Sequence, residues 1–148
     1  MIKTTLIASF CLVIAACSSG GSGSTEGVNI TGRWTGDLQL TTDVTVRIEI
    51  SFAQLDTVGV PGNTRTSTVT YSVTFNESSD PTGTIQSCLR TLAGETAQIN
   101  AESNPATLTG DGLSAVVINN RISGQAVWEG DDDCVVGGPF AVTRAGTR

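Results

Sequence analysis

Four carboxylates fall within five positions, at Glu129, Asp131, Asp132 and Asp133, immediately before Cys134. Carboxylate oxygens are hard ligands suited to Ca2+, so this run is the candidate metal site of the sequence. Its spacing is not that of an EF-hand loop, and the simpler expectation is a solvated turn. The 148 residues contain no histidine. That removes every Ser-His-Asp or Cys-His nucleophile arrangement and the commonest transition-metal ligand. The other acids read as turn or outward strand positions, so nothing marks a carboxylate pair for glycoside hydrolysis. Gly137-Gly138-Pro139 is followed by no helix, and it reads as a turn into a last strand rather than a phosphate loop. No enzymatic activity and no cofactor are expected.

The charge balance narrows the partners. Fourteen acids face eight bases, for a formal charge of −6, and no basic run occurs. Such a chain lacks the electrostatic footprint of a nucleic-acid binder. The four cysteines are Cys11, Cys17, Cys88 and Cys134. A zinc site built on Cys88 and Cys134 would need two more soft ligands, which the chain cannot supply.

Lys3 is followed by an apolar run from Leu6 to Ala16. The run is too short to span a bilayer but suits the apolar region of a signal peptide. It ends in Ile14-Ala15-Ala16-Cys17, then Ser18-Ser19-Gly20. This order resembles the lipobox of bacterial lipoproteins. The resemblance implies a signal peptide over residues 1–16, acylation of Cys17 with palmitate-type chains, and attachment to the outer membrane, since Ser18 rather than Asp follows. Removal of residues 1–16 takes away Lys3, the only lysine, and leaves a net charge of −7. An acidic, lysine-free surface has no affinity for anionic head groups, so the lipid must anchor the protein. Cys11 leaves with the signal and Cys17 takes the lipid. Cys88 and Cys134 then remain in an oxidising compartment and are expected to pair.

Ser18 to Gly27 is a Gly/Ser tether with coil dimensions of about 15–20 Å. The domain is expected over 28–148. Val44, Val46, Ile48, Ile50 and Phe52 alternate with polar residues, and so do Val69, Tyr71, Val73 and Phe75. Period-two patterns of this kind predict half-buried strands. Asn119-Asn120 separates two such runs and predicts a tight hairpin. Strands are expected near 30–40, 43–55, 64–77, 83–90, 95–102, 106–110, 113–119, 121–129 and 139–144. The fold class is all-β. Eight or nine antiparallel strands in a meander close most naturally into a small barrel, which removes exposed edges. The long polar connection from Asp56 to Arg65 is a candidate contact loop. Trp128 shares parity with Ala126 and is expected in the core.

Gly32-Arg33-Trp34 opens the domain and Arg144 stands at the end of its last strand. A Gly-x-Trp on the first strand with such an arginine resembles the calycin signature of lipocalins, fatty-acid-binding proteins and avidins. The resemblance implies that Trp34 closes one end of the barrel and that Arg144 packs across its ring. It covers only the two ends of the domain. It points first to a lipid-anchored binding module for a small apolar ligand. The alternative is a protein–protein module, such as an inhibitor of an envelope protease or lysozyme. An open lumen would favour the first and a filled lumen with a protruding ordered loop the second.

Overall fold

The computed structural model describes residues 27–62, 65–76, 79–83, 88, 91–130 and 134–146. Eight strands follow one another: β1 Gly32–Gln39, β2 Thr45–Gln54, β3 Thr66–Phe75, β4 Thr91–Asn100, β5 Ala106–Gly110, β6 Leu113–Ile118, β7 Arg121–Glu129 and β8 Val135–Arg144. Each pairs antiparallel with the next, and β8 returns to β1 to close the barrel. The alternation that predicts β2 and β3 is the alternation of their burial. Val46, Ile48, Ile50 and Phe52 point inward from β2, and Val69, Tyr71, Val73 and Phe75 point inward from β3. Two-residue turns set the register of the later hairpins. Asn119 takes a φ of 53° between Ile118 and its partner Arg121, and Asp111-Gly112 joins Gly110 to Leu113.

The interior is apolar and the outer wall is rich in Thr, Ser, Arg and Glu. A transmembrane barrel has the reverse arrangement. Trp34, Leu38, Val46, Ile50, Val69, Val73, Ile99, Leu108 and Ile122 have no exposed surface at all. An eight-stranded barrel is just wide enough for side chains to fill it, and here they do.

Three expected elements differ. Of the strand expected near 83–90, only Gly83, which is irregular, and Cys88, which is helical, are described; 84–87, 89 and 90 lie outside the described residues. Eight strands make the barrel. β4 starts at Thr91 instead of near 95, and β8 starts at Val135 instead of 139. Gly137-Gly138-Pro139 is thus strand rather than turn. Gly138 has a φ of 151°, and a Cβ there would collide with the carbonyl of Gln39. The glycine lets β8 press against the end of β1, which a turn reading does not foresee.

Candidate functional site

The barrel has two ends. Gly27, β1's first residue and the connections β2–β3, β4–β5 and β6–β7 lie at one, called here the tether end. The connections β1–β2, β3–β4, β5–β6 and β7–β8 lie at the far end.

At the tether end, Trp34 and Arg144 are direct register partners across β1 and β8. The Arg144 guanidinium carbon lies 4.7 Å from the Trp34 ring centroid. Nη1 donates to the Thr31 carbonyl at 2.9 Å and Nη2 to the Asn29 carbonyl at 2.7 Å. Trp34 Nε1 donates to the Ile30 carbonyl at 2.8 Å. These donors fold Asn29–Thr31 across the barrel mouth and bury Ile30. Gln54 ties the same segment down: its Oε1 accepts from Ile30 N, and its Nε2 donates to the carbonyls of Val28 and Asp56. Gly32 has a φ of 128°, which a side chain would rarely adopt, and a Cβ there would meet Arg144 Nη1 at 3.5 Å. The Gly-x-Trp spacing therefore has a physical reason: the glycine leaves room for the arginine that covers the indole. This end closes the barrel.

In the Asp56 to Arg65 connection, Asp56, Gly59, Pro61, Gly62 and Arg65 are exposed, and two contacts hold it to the barrel. Val58 bridges to Val28 and is fully buried, and Asp56 N donates to Ser67 Oγ. Residues 63 and 64 lie outside the described residues.

At the far end, Cys88 and Cys134 form a disulfide with Cα atoms 5.7 Å apart, joining the β3–β4 connection to the β7–β8 connection. Trp128 is buried as its parity predicts, and stacks edge-on to Phe75 at 5.8 Å. Its Nε1 donates to the Tyr71 hydroxyl at 3.2 Å, and that hydroxyl donates to the Asp111 carbonyl at 3.0 Å. Burial pushes the Tyr71 phenol up from its ordinary value. The Trp128 hydrogen bond opposes this, while the negative charges of Glu95 and Asp111 add to it.

Sequence reasoning passed over Glu95. It lies directly opposite inward-facing Tyr71 and shares parity with buried Ala97 and Ile99. It is therefore a carboxylate at an inward register position, where all acids were expected in turns or facing outward. Its parity with Ala97 and Ile99 was the available signal. Glu95, Asp111 and Glu129 line one pocket of about 270 Å³ with Leu92, Val127 and Trp128.

Of the acidic run, Glu129 ends β7 and is exposed, while Asp131, Asp132 and Asp133 lie outside the described residues. Among the described residues no group of three or more Cys, Asp or Glu side chains is placed to hold a metal ion. Cys17 and the segment before it also lie outside the described residues. Among those described, no helix is long and apolar enough to cross a membrane. No family model, curated protein or solved structure matches this chain.

Proposed function

We propose that this chain is an envelope lipoprotein, anchored to the outer membrane through acylated Cys17, whose barrel is a protein-docking module. The packed interior carries this reading. A carrier of small apolar molecules needs space inside the barrel, and here Trp34, Leu38, Ile50, Val69, Ile99, Leu108 and Ile122 are packed fully buried within it. The Cys17 motif supports the anchor. The disulfide is of the kind kept in oxidising compartments. The tether enters at one end, so the far end is the one held away from the lipid.

Native mass spectrometry of the mature protein extracted from envelopes, with photo-crosslinking in cells from Leu55, Val135 and Glu129, tests the reading. The expected result is the mass of the acylated protein with no further molecule bound, and a discrete heavier adduct from one of the three positions. A stoichiometric apolar molecule travelling with the protein overturns the module in favour of a carrier. Unchanged processing and membrane fractionation of Cys17→Ser overturns the anchor.

A further inference from the structure

The net charge of the chain conceals a polarity along the barrel axis. Among the described residues, Arg33 is second in β1, Arg65 precedes β3, Arg121 starts β7 and Arg144 ends β8, so these arginines lie at the tether end. The described acids there are Asp56 and Glu102, and Glu102 pairs with Arg65 at 3.2 Å. Toward the far end the balance reverses: Asp37, Asp43, Asp80, Asp111 and Glu129 stand against Arg47. Glu49 and Glu95 lie midway along β2 and β4. The barrel therefore has a basic end and an acidic end, whatever its sum.

The tether end also carries exposed aliphatic surface. Leu55, just past β2, is 77% exposed, and Ile118, the last residue of β6, is 51% exposed. β2 and β6 are four strands apart in a ring of eight, so the two side chains sit on opposite sides of the mouth. Val127 and Val135, also exposed, lie at the far end beside Glu129, where the charge is negative.

The start of the chain decides what the tether-end face meets. Gly27 is at this end, and the tether from Cys17 has coil dimensions of about 15–20 Å. A short flexible tether gives an effective concentration on the order of mM, so a face of weak intrinsic affinity is still seated. Anionic head groups attract basic side chains over about a Debye length, roughly 8–10 Å, and repel acids over the same range. The ten residues of β2 rise by about 3.3 Å each, which carries the acidic end well outside that range.

We infer that the tether-end face rests on an anionic phospholipid surface and stands the barrel on its end. Leu55 and Ile118 enter the head-group layer on opposite sides of the mouth, and Arg33, Arg65 and Arg121 face the phosphates. The expectation that an acidic, lysine-free surface ignores anionic head groups then holds for the far end and fails at this one. The inference rests on the Cys17 anchor, and it adds an orientation that a tether alone does not give.

The test uses the acylated mature protein, disulfide intact, in nanodiscs of phosphatidylethanolamine and phosphatidylglycerol at three to one, with a trace of gadolinium-chelating lipid. Amide relaxation enhancement reports distance from the head groups. Rates at residues 55–60 and 118–121 should exceed those at 41–43 and 111–112 by at least about tenfold, since most of a strand's length separates the two sets. A barrel swinging freely on its tether also favours its tether end, so variants decide. Leu55→Ser/Ile118→Ser should cut the ratio at least about threefold, because the aliphatic contacts are lost. Val127→Ser/Val135→Ser, the same change at the far end, should leave it unchanged. Replacing phosphatidylglycerol by phosphatidylcholine should lower it. Amide spectra of both variants report whether the fold is kept. Equal rates at the two ends, a ratio unmoved by the Leu55/Ile118 pair, or equal loss with both pairs overturns the seated face. A ratio indifferent to lipid charge overturns the arginine contact. Acylated Cys17 with uniform rates removes the face and leaves the anchor standing, whereas unacylated Cys17 in protein from envelopes removes both.

Discussion

At the tether end, Arg144 lies over Trp34 and bonds two carbonyls of the segment that caps the mouth. At the far end, a disulfide between residues 46 apart in sequence joins two connections, and a pocket opens beside them. The difference follows from connection length. The tether end is closed by a short segment just before β1, whose carbonyls lie within reach of side chains on β1, β2 and β8. The far end carries the longest connection, between Phe75 and Thr91. Hydrogen bonds suffice for the first. The second draws its constraint from a covalent link, beside a pocket lined by Glu95, Asp111 and Glu129.

The largest expected effect tests that contrast directly. Replacing Cys88 and Cys134 by Ser should lower stability by about 4 kcal/mol, the chain-entropy value for a loop of this length. Denaturation of the oxidised protein, the reduced protein and the double variant measures it. A loss under about 1 kcal/mol would mean that the far end holds without its staple.

Tyr71 comes next, because two groups depend on its hydroxyl. Tyr71→Phe leaves the buried Trp128 Nε1 without its acceptor and the Asp111 carbonyl without its donor. A loss of about 1–3 kcal/mol is expected. The phenol is raised in the folded state, so its contribution is complete below the unfolded tyrosine value of about 10. It fades as pH rises through the higher folded value. Stability of the natural protein should therefore fall in that alkaline range, and the Phe variant should lack this part of the fall. Parallel alkaline curves for the two proteins would exclude Tyr71 as the source.

Arg144→Ala should cost about 1–2 kcal/mol through the lost ring contact and packing. Arg144→Lys should fall between, since an ammonium keeps the charge over the indole but lacks the fork that reaches both Thr31 and Asn29. Denaturation of the three proteins orders them. A lysine variant as stable as the natural protein would show that the fork to the two carbonyls adds nothing.

Most of the barrel was legible because parity and turn chemistry act locally. Val44 to Phe52, Val69 to Phe75 and Asn119-Asn120 gave β2, β3 and the β6–β7 turn their places. The pairing of Trp34 with Arg144 was implied by the calycin resemblance, and closure of the meander brings the first and last strands together. Two stretches were not legible. Gly137-Gly138-Pro139 carries turn residues for a long-range reason, the approach of β8 to Gln39, which local propensity does not register. The far-end pocket depends on which residues of β4, β7 and the β5–β6 turn meet, a property of registers between distant segments. Glu95 was within reach of parity, but a charged residue beside Gly94 reads as the start of a strand instead of an inward position along one.

The smallest expected effects separate the Arg144 contact from ordinary surface charge. Arg33 pairs with Glu49 at 3.1 Å and Arg65 with Glu102 at 3.2 Å, both on the tether side of the barrel. Their arginines are 68% and 78% exposed, so water and salt screen them and long side chains lose freedom on pairing. Arg33→Gln and Arg65→Gln should each shift stability by about 0.2–1 kcal/mol, and the shift should vanish in about 1 M salt. The Arg144→Ala loss should persist in the same salt, because packing on the indole and bonds to neutral carbonyls are not ion pairs. Denaturation of the three variants at low and high salt makes the comparison. If the Arg144→Ala loss disappeared with salt as the others do, the cap would owe its strength to general surface charge, and the two ends would differ only in the disulfide.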